Sequence, residues 1–296
     1  MRRRLSLGLI AALGLTGLVW AQDTALPGPG FLGSFNMKPL GVEGVSALWI
    51  SADGGRVMLL SDRSFAVTGR ITRGADGQIT RIDLADPTPL RGRDGRELRR
   101  GQMDSEGLAV GPTGEVFLSA EGPARVFRSA RLGATLQQIG RPRDFGTLPS
   151  NGSLEALAIG PDGTLYTLPE TEATDQTPFP LFAYRDGRWT TIAQVPRRDA
   201  FLPVGADVGP DGRLYILFRS FSAISGFSTL LQRFTLTQTG LGPPLTLIET
   251  GPGIHGNLEG LTVWRDPKAG LTASMVSDDN GIFLQNAELV EYRLPD

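Results

Sequence analysis

One unit recurs five times along this 296-residue chain, and it constrains the fold more than any other feature. Each copy is a strand-like run, a tight turn and a second strand-like run. The first is Val45–Ile50, Asp53-Gly54-Gly55 and Val57–Asp62; the second is Ser105–Val110, Pro112-Thr113-Gly114 and Val116–Glu121. The third is Leu154–Ile159, Pro161-Asp162-Gly163 and Leu165–Glu170; the fourth is Pro203–Val208, Pro210-Asp211-Gly212 and Leu214–Arg219. In the fifth, Asn257–Trp264 and Met275–Asn280 flank a longer turn through Arg265–Gly270. Apolar and polar residues alternate along these runs, the period of a strand.

The offsets are regular. Glu106 to Glu121, Glu155 to Glu170 and Val204 to Arg219 are each 15 apart, Ser46 to Asp62 is 16 and Glu259 to Asp278 is 19. From copy to copy the first position advances by 60, 49, 49 and 55. Strand–turn–strand content at such a period predicts a propeller rather than a helical solenoid. A further strand pair follows the hairpins, such as Val126–Arg128 with Leu136–Ile139, giving four antiparallel strands per blade. The expected fold is all-β, a β-propeller. Five copies give five blades, while the N-terminal strand and the long segment 220–250 leave room for a sixth. Residues 41–296 form this single domain. Residues 22–40 read as a linker and a closing strand, Phe31–Phe35, which is expected to pair with Leu289–Leu294 and so remove exposed sheet edges.

Three arginines at Arg2–Arg4, an apolar run from Leu5 to Val19 and the small residue Ala21 have the order of a secretory signal peptide over residues 1–21. The apolar run is shorter than the roughly 20 residues a membrane span needs. Cleavage would place the protein in the periplasm or outside the cell, with no membrane attachment. It would leave 275 of the 296 residues and, with three arginines lost, move the formal charge from −2 to −5. A mildly acidic chain is a poor partner for nucleic acid. With no cysteine there is no disulfide framework, thiol nucleophile or thiolate metal site. A core of this size folds without such staples, and a monomer is expected.

In a propeller the first position of each copy and its hairpin partner face one mouth of a central channel. One row is then Ser46, Glu106, Glu155, Val204 and Glu259; the other is Asp62, Glu121, Glu170, Arg219 and Asp278. Asp104, Asp279, Asn280 and Arg63 flank them. Carboxylates gathered round one axis repel unless protons, arginines or cations neutralise them. Each acid alone could cap backbone N–H groups of the next blade. As a ring they suit oxygen-rich ligation of Ca²⁺, which takes six to eight oxygens. The metal candidates are Asp62, Glu106, Glu121, Glu155, Glu170, Glu259, Asp278, Asp279 and Asn280. His255, the sole histidine, excludes a multi-histidine zinc site. It is a candidate general base, with a solvent-facing loop position between glycines as the competing reading. No Gly-x-Ser-x-Gly elbow is present.

Ser61-Asp62-Arg63, Asp104–Ala109, Leu154–Ala158, Asn257–Leu261 and Ser277–Asn280 together resemble the bacterial phytase-like family described as having esterase-like activity. The resemblance covers nearly all of the chain after the leader. It implies a propeller and, by relation to alkaline phytases, a Ca²⁺-dependent phosphoester hydrolase. Where the family tends to have Glu-Arg this chain has Phe218-Arg219, so one acid of the ring is expected to be missing. Alkaline phytases also use lysines around phosphate, and lysine occurs here only at 38 and 268. Arg63 and Arg219 are the candidate replacements. The expected function is a metal-dependent hydrolase of a small-molecule ester or phosphoester, with Glu259, Arg63, Arg219 and His255 as catalytic candidates. A sugar-lactone hydrolase and a non-catalytic binding or scaffold propeller are the alternatives.

Overall fold

The computed structural model describes residues 27–171, 177–237, 240–278 and 287–296. Five sheets are arranged as blades. Blade 5 begins with the N-terminal strand β1 (Phe31–Asn36). Blade 1 follows with β2 (Val45–Ile50), β3 (Arg56–Ser61), β4 (Phe65–Arg73) and β5 (Ile79–Leu84), and β6 (Thr88–Pro89) pairs with β4. Blade 2 holds β7 (Ser105–Val110), β8 (Val116–Ala120), β9 (Arg125–Ser129) and β10 (Gln137–Ile139). Blade 3 holds β11 (Leu154–Ile159), β12 (Leu165–Pro169), β13 (Phe179–Arg185) and β14 (Arg188–Val195). Blade 4 holds β15 (Leu202–Val208), β16 (Leu214–Ser222) and β17 (Gly226–Phe234). After a small hairpin of β18 (Leu236–Thr237) and β19 (Gly240–Leu241) it is completed by β20 (Leu245–Thr250). Blade 5 ends with β21 (Asn257–Asp266), β22 (Gly270–Asp278) and β23 (Glu288–Arg293). Segment 220–250 is therefore spent on blade 4 and a hairpin, and the ring has five blades.

The innermost strands β2, β7, β11, β15 and β21 pack side by side and return to β2, closing the ring. The closure is completed at the edge by β1, which pairs with β23 through Ser34↔Val290 and Asn36↔Glu288, as the sequence predicts. The edge of blade 5 that would otherwise lie open is thereby covered.

Because successive strand residues point to opposite faces, each blade feeds two core layers. Val57 and Leu59 of β3 pack toward blade 5, while Met58 and Leu60 pack toward blade 2. Tyr215 and Leu217 face blade 5, and Leu214, Ile216 and Phe218 face blade 3. The core is thus a set of apolar layers between successive blades. Inner hairpins turn through glycines with positive φ, Gly163 at 81° and Gly212 at 73°, where a side chain would be strained. The preceding Asp162 and Asp211 accept from the N–H groups of Thr164 and Arg213.

At the other end of the inner strands the ladders break in the same way in every blade. Register shifts fall between Val45 and Ala47, Ser105 and Leu108, Leu154 and Ala156, Pro203 and Gly205, and Leu258 and Gly260. The bulge therefore coincides with Ser46, Glu106, Glu155, Val204 and Glu259, the first row of the sequence. A β-bulge re-aims a side chain, and here it turns Ser46, Glu106, Glu155 and Glu259 toward the axis, whereas Val204, expected from the sequence to join them, packs in the apolar layer between blades 4 and 5. The residue that follows is always Ala or Gly because neighbouring strands approach closely there. A Cβ on Gly260 would lie 2.7 Å from Leu48 N, and one on Gly205 would lie 2.4 Å from Glu259 O.

Candidate metal centre at the acidic mouth

The two rows meet in one cavity of about 250 Å³. Ser46, Glu106, Glu155 and Glu259 line it from the bulges; Asp62, Glu121, Glu170, Arg219 and Asp278 line it from the hairpin partners. Gly44, Asp104 and Asn151 complete the wall. Val204 is buried at its bulge. Asp279 and Asn280 lie outside the described residues. Among the described residues, Arg219 is the only basic side chain lining the cavity.

Arg219 belongs to blade 4, so its neighbours in the ring are blades 3 and 5. It binds a carboxylate from each. Nη2 donates to Glu170 Oε1 at 2.9 Å, and Nη1 reaches Glu259 Oε1 and Asn257 Oδ1. Asn257 Nδ2 donates to the same Glu259 oxygen at 2.7 Å. Burial pushes the Glu259 carboxyl up to about 7; Arg219 opposes the rise and Asp278 adds to it. Burial works against the Arg219 charge, but Glu259 and Glu170 hold its proton more firmly than usual.

Across the ring, no arginine of blades 1 and 2 lines the cavity among the described residues; Arg63 meets the acids only at Asp62, its Nε 3.8 Å from Oδ1. Ligand oxygens of Asp104, Glu106 and Glu121 all lie within 4.8 Å of one another. Glu106 is raised well above the ordinary carboxylate range by burial, then by Glu259 and Asp104, with which it shares a hydrogen bond. Glu155 is raised well above it too, by burial first and then by Glu106 and Glu170. Asp62 is pushed up to about 6 by burial and by Asp278, with Arg63 opposing. Glu121 has a second duty: its Oε1 accepts from the backbone N–H groups of Gly152 and of Ser153, the latter at 3.0 Å. Both readings of the acids thus occur in one residue, blade capping and ring charge.

A hard cation fits this donor set. Among the described residues the cavity presents carboxylate oxygens from several blades and no soft ligand, and three of these acids bring oxygens within 4.8 Å of one another on the side away from Arg219.

Three expectations change on the structure. His255 is 6% exposed rather than solvent-facing. Its Nε2 is 2.5 Å from Tyr292 Oη and its Nδ1 3.4 Å from Glu288 Oε1, in the seam beneath β1 and β23. Gly256 N–H bonds to Glu288 as well, so the chain is pinned before it enters the mouth at Asn257. Phe218 marks no missing ring acid, because it is buried between blades 3 and 4, where a carboxylate would lack a partner. Arg63 does not line the acidic cavity; it pairs with Glu43 at 2.7 Å in a neighbouring one. Sequence reasoning misses Asn257 and Asn151. Asn257 sits two residues before Glu259 in the same motif, and its cross-strand pairing with Asp278 is the signal that points to it.

The family described as Phytase-like, with esterase-like activity of phytase, matches residues 40–281, well over half of the chain. The chain belongs to that family. No curated protein matches it. Among solved structures, this phytase-like chain is similar to an alpha-L-arabinofuranosidase from Podospora anserina in complex with cellotriose, at 12% identity and a TM-score of 0.52, covering 92% of this chain and 98% of that one. It is also similar to a gluconolactonase from Xanthomonas campestris, at 20% identity and a TM-score of 0.42, covering 81% and 69%. A virginiamycin B lyase from Staphylococcus aureus is similar at 13% identity and a TM-score of 0.46, covering 89% and 99%. At such identities the likeness is one of fold alone.

Proposed function

We propose that this phytase-like propeller is an exported, Ca²⁺-dependent hydrolase of ester or phosphoester bonds, acting as a monomer on a small molecule at the acidic mouth. The observation that carries the reading is the convergence of Asp104, Glu106 and Glu121 opposite the half of the ring that Arg219 partly neutralises. Those three acids would hold the ion, with Asp62 beside them. A bound Ca²⁺ supplies Lewis acidity toward the substrate oxygen and lowers the pKa of water.

The protein's own groups divide the remaining work. Glu259, with its carboxyl at about 7, holds or releases a proton near neutrality and suits the role of general base. Arg219 and Asn257 fix its orientation through the Oε1 oxygen. Arg219 is committed to two carboxylates, so a phosphate would meet a negative wall with no free cationic side chain among the described residues. A carboxylic ester or lactone enters that field at lower cost than a phosphate, which depends on the cation altogether.

Calcium titration by calorimetry, with an ester, lactone and phosphoester panel run with and without chelator, tests this. Saturable calcium binding and chelator-sensitive turnover, both lost in Glu106→Gln, are expected. Absence of calcium binding together with absence of chelator-sensitive turnover overturns it. The capping of Gly152 and Ser153 by Glu121 favours a second reading, a non-catalytic binding propeller with structural acids. In that case the chelator changes nothing and no substrate of the panel is consumed.

A further inference from the structure

Two cavities of opposite character share one wall. Gly44 and Asp62 line the acidic mouth, whereas their chain neighbours Glu43 and Arg63 line a second cavity of about 380 Å³. The wall is tied by a backbone hydrogen bond from Asp62 N to Gly44 O at 2.9 Å. The turn that splits Asp62 from Arg63 is fixed at Ser64, a non-glycine residue with φ of 66°. Left-handed backbone at such a residue persists only where its surroundings hold it. Ser64 is buried, its Oγ donates to Met103 O at 2.9 Å, and it accepts from Met103 N at 2.8 Å.

Leu40, Val42, Phe65, Val67, Pro89 and Leu98 give the second cavity an apolar wall. At its rim Arg63 and Arg100 both donate to the same oxygen of Glu43, at 2.7 and 2.6 Å. Arg63 Nε also lies 3.8 Å from Asp62 Oδ1, but Asp62 faces the acidic mouth, so among the described residues Glu43 is the one carboxylate lining this second cavity against two guanidinium groups. An apolar pocket of this size with a few convergent polar groups is the usual form of a small-molecule site. Guanidinium is the side chain best shaped to take a carboxylate.

We infer that this second cavity binds an amphipathic monoanion, the apolar and carboxylate-bearing portion of the molecule whose ester reaches the acidic mouth. Calling that molecule a substrate rests on the hydrolase reading; the binding itself does not. The carboxylate sits at Arg63 and Arg100, and the hydrocarbon lies along Val42 and Phe65. The Asp62–Arg63 step then measures the distance from anchor to ester.

Octanoate is the probe, with octan-1-ol lacking the charge and acetate lacking the tail, all titrated calorimetrically into the purified protein. Octanoate is expected to bind saturably and at least about tenfold more tightly than either control. The double variant Arg63→Gln/Arg100→Gln should lose about tenfold or more, and Ala85→Trp, which places a ring at the exposed lip of the cavity, should block binding. Both changes lie at the surface, and unchanged melting temperatures establish that the variants fold. Octanoate without saturable heat, or bound equally by wild type and both variants, overturns the inference. An active hydrolase that ignores octanoate removes this cavity and spares the proposed function. Octanoate bound by a protein that neither binds calcium nor turns over any substrate of the panel supports the cavity and removes the function.

Discussion

The two halves of the acidic ring solve the same electrostatic problem differently. On the side of blades 3 to 5, Arg219 stands between Glu170 and Glu259, and a fixed internal charge offsets part of the cost of burial. On the side of blades 1 and 2, Asp62, Asp104, Glu106 and Glu121 face one another, and compensation is left to protons or to a cation. The paired half keeps one fixed counter-charge at every pH. The open half is stable only in a suitable solution, as expected of a site that keeps room for a ligand.

Removing the fixed charge should have the largest effect. Arg219→Ala leaves Glu170 and Glu259 buried without their partner, a change that costs about 3–5 kcal/mol. Thermal melting in chelator near pH 8 should show it as a fall of roughly 10 °C. A shift within about 1 °C would mean that the halves are equivalent. Calcium should act on the open half instead. It is expected to stabilise the wild type by about 2.7 kcal/mol at 100 times its dissociation constant, and Glu106→Gln should abolish most of that gain.

The third test is pH. Glu259 rises from its ordinary 4.5 to about 7 on folding, so the folded protein binds the proton more tightly than the unfolded chain. The sign is therefore that stability is fullest below pH 4.5 and is lost as pH climbs through about 7. Asp62, moving from 3.8 to about 6, adds loss of the same sign over a lower window, reduced by its partial exposure. Without calcium the decline should be on the order of 2 kcal/mol in chemical denaturation, and calcium should flatten it. A metal-free stability that rises between pH 5 and 7 would contradict this.

The smallest effect discriminates best. In chelator, Glu106→Gln should raise stability by about 1 kcal/mol because it removes a repelling charge, whereas Glu259→Gln should lower it by about the same amount because it strips Arg219 of a partner. Equal signs for the two would erase the distinction between the halves.

Much of the ring is legible in the order of residues alone. The offsets of 15 between Glu106 and Glu121 and between Glu155 and Glu170 set both rows at one level, since a hairpin of fixed length brings its ends together. The run Val57–Leu60 supplies two buried faces, and Phe31–Phe35 finds its partner in Leu289–Leu294. What stays hidden depends on neighbours distant along the chain. That Arg219 bridges Glu170 and Glu259 follows from the packing of blade 4 between blades 3 and 5, which a reading of residue types alone does not weigh. Whether Arg63 turns toward Asp62's cavity or away from it is decided by Ser64 and Met103. His255 reads as exposed between two glycines because the strands that cover it lie at the two ends of the chain. The bulge at each first-row position leaves no local mark except the small residue that follows it.

The pairing of β1 with β23 has a consequence for how the chain acquires its structure. These strands lie about as far apart in sequence as the molecule permits, so joining them carries a large loop-closure entropy and a high contact order. Blades 1 to 4 consist of sequence-local hairpins and can form as the chain emerges, but blade 5 waits for the last residues. Glu259 and Asp278 reside on that blade, next to Asp62 of blade 1. The mouth is therefore assembled in the final, slow step of folding. The ion pair of Arg219 with Glu259 joins blade 4 to blade 5 and so rewards ring closure itself, and its effect would register in the rate at which the propeller re-opens.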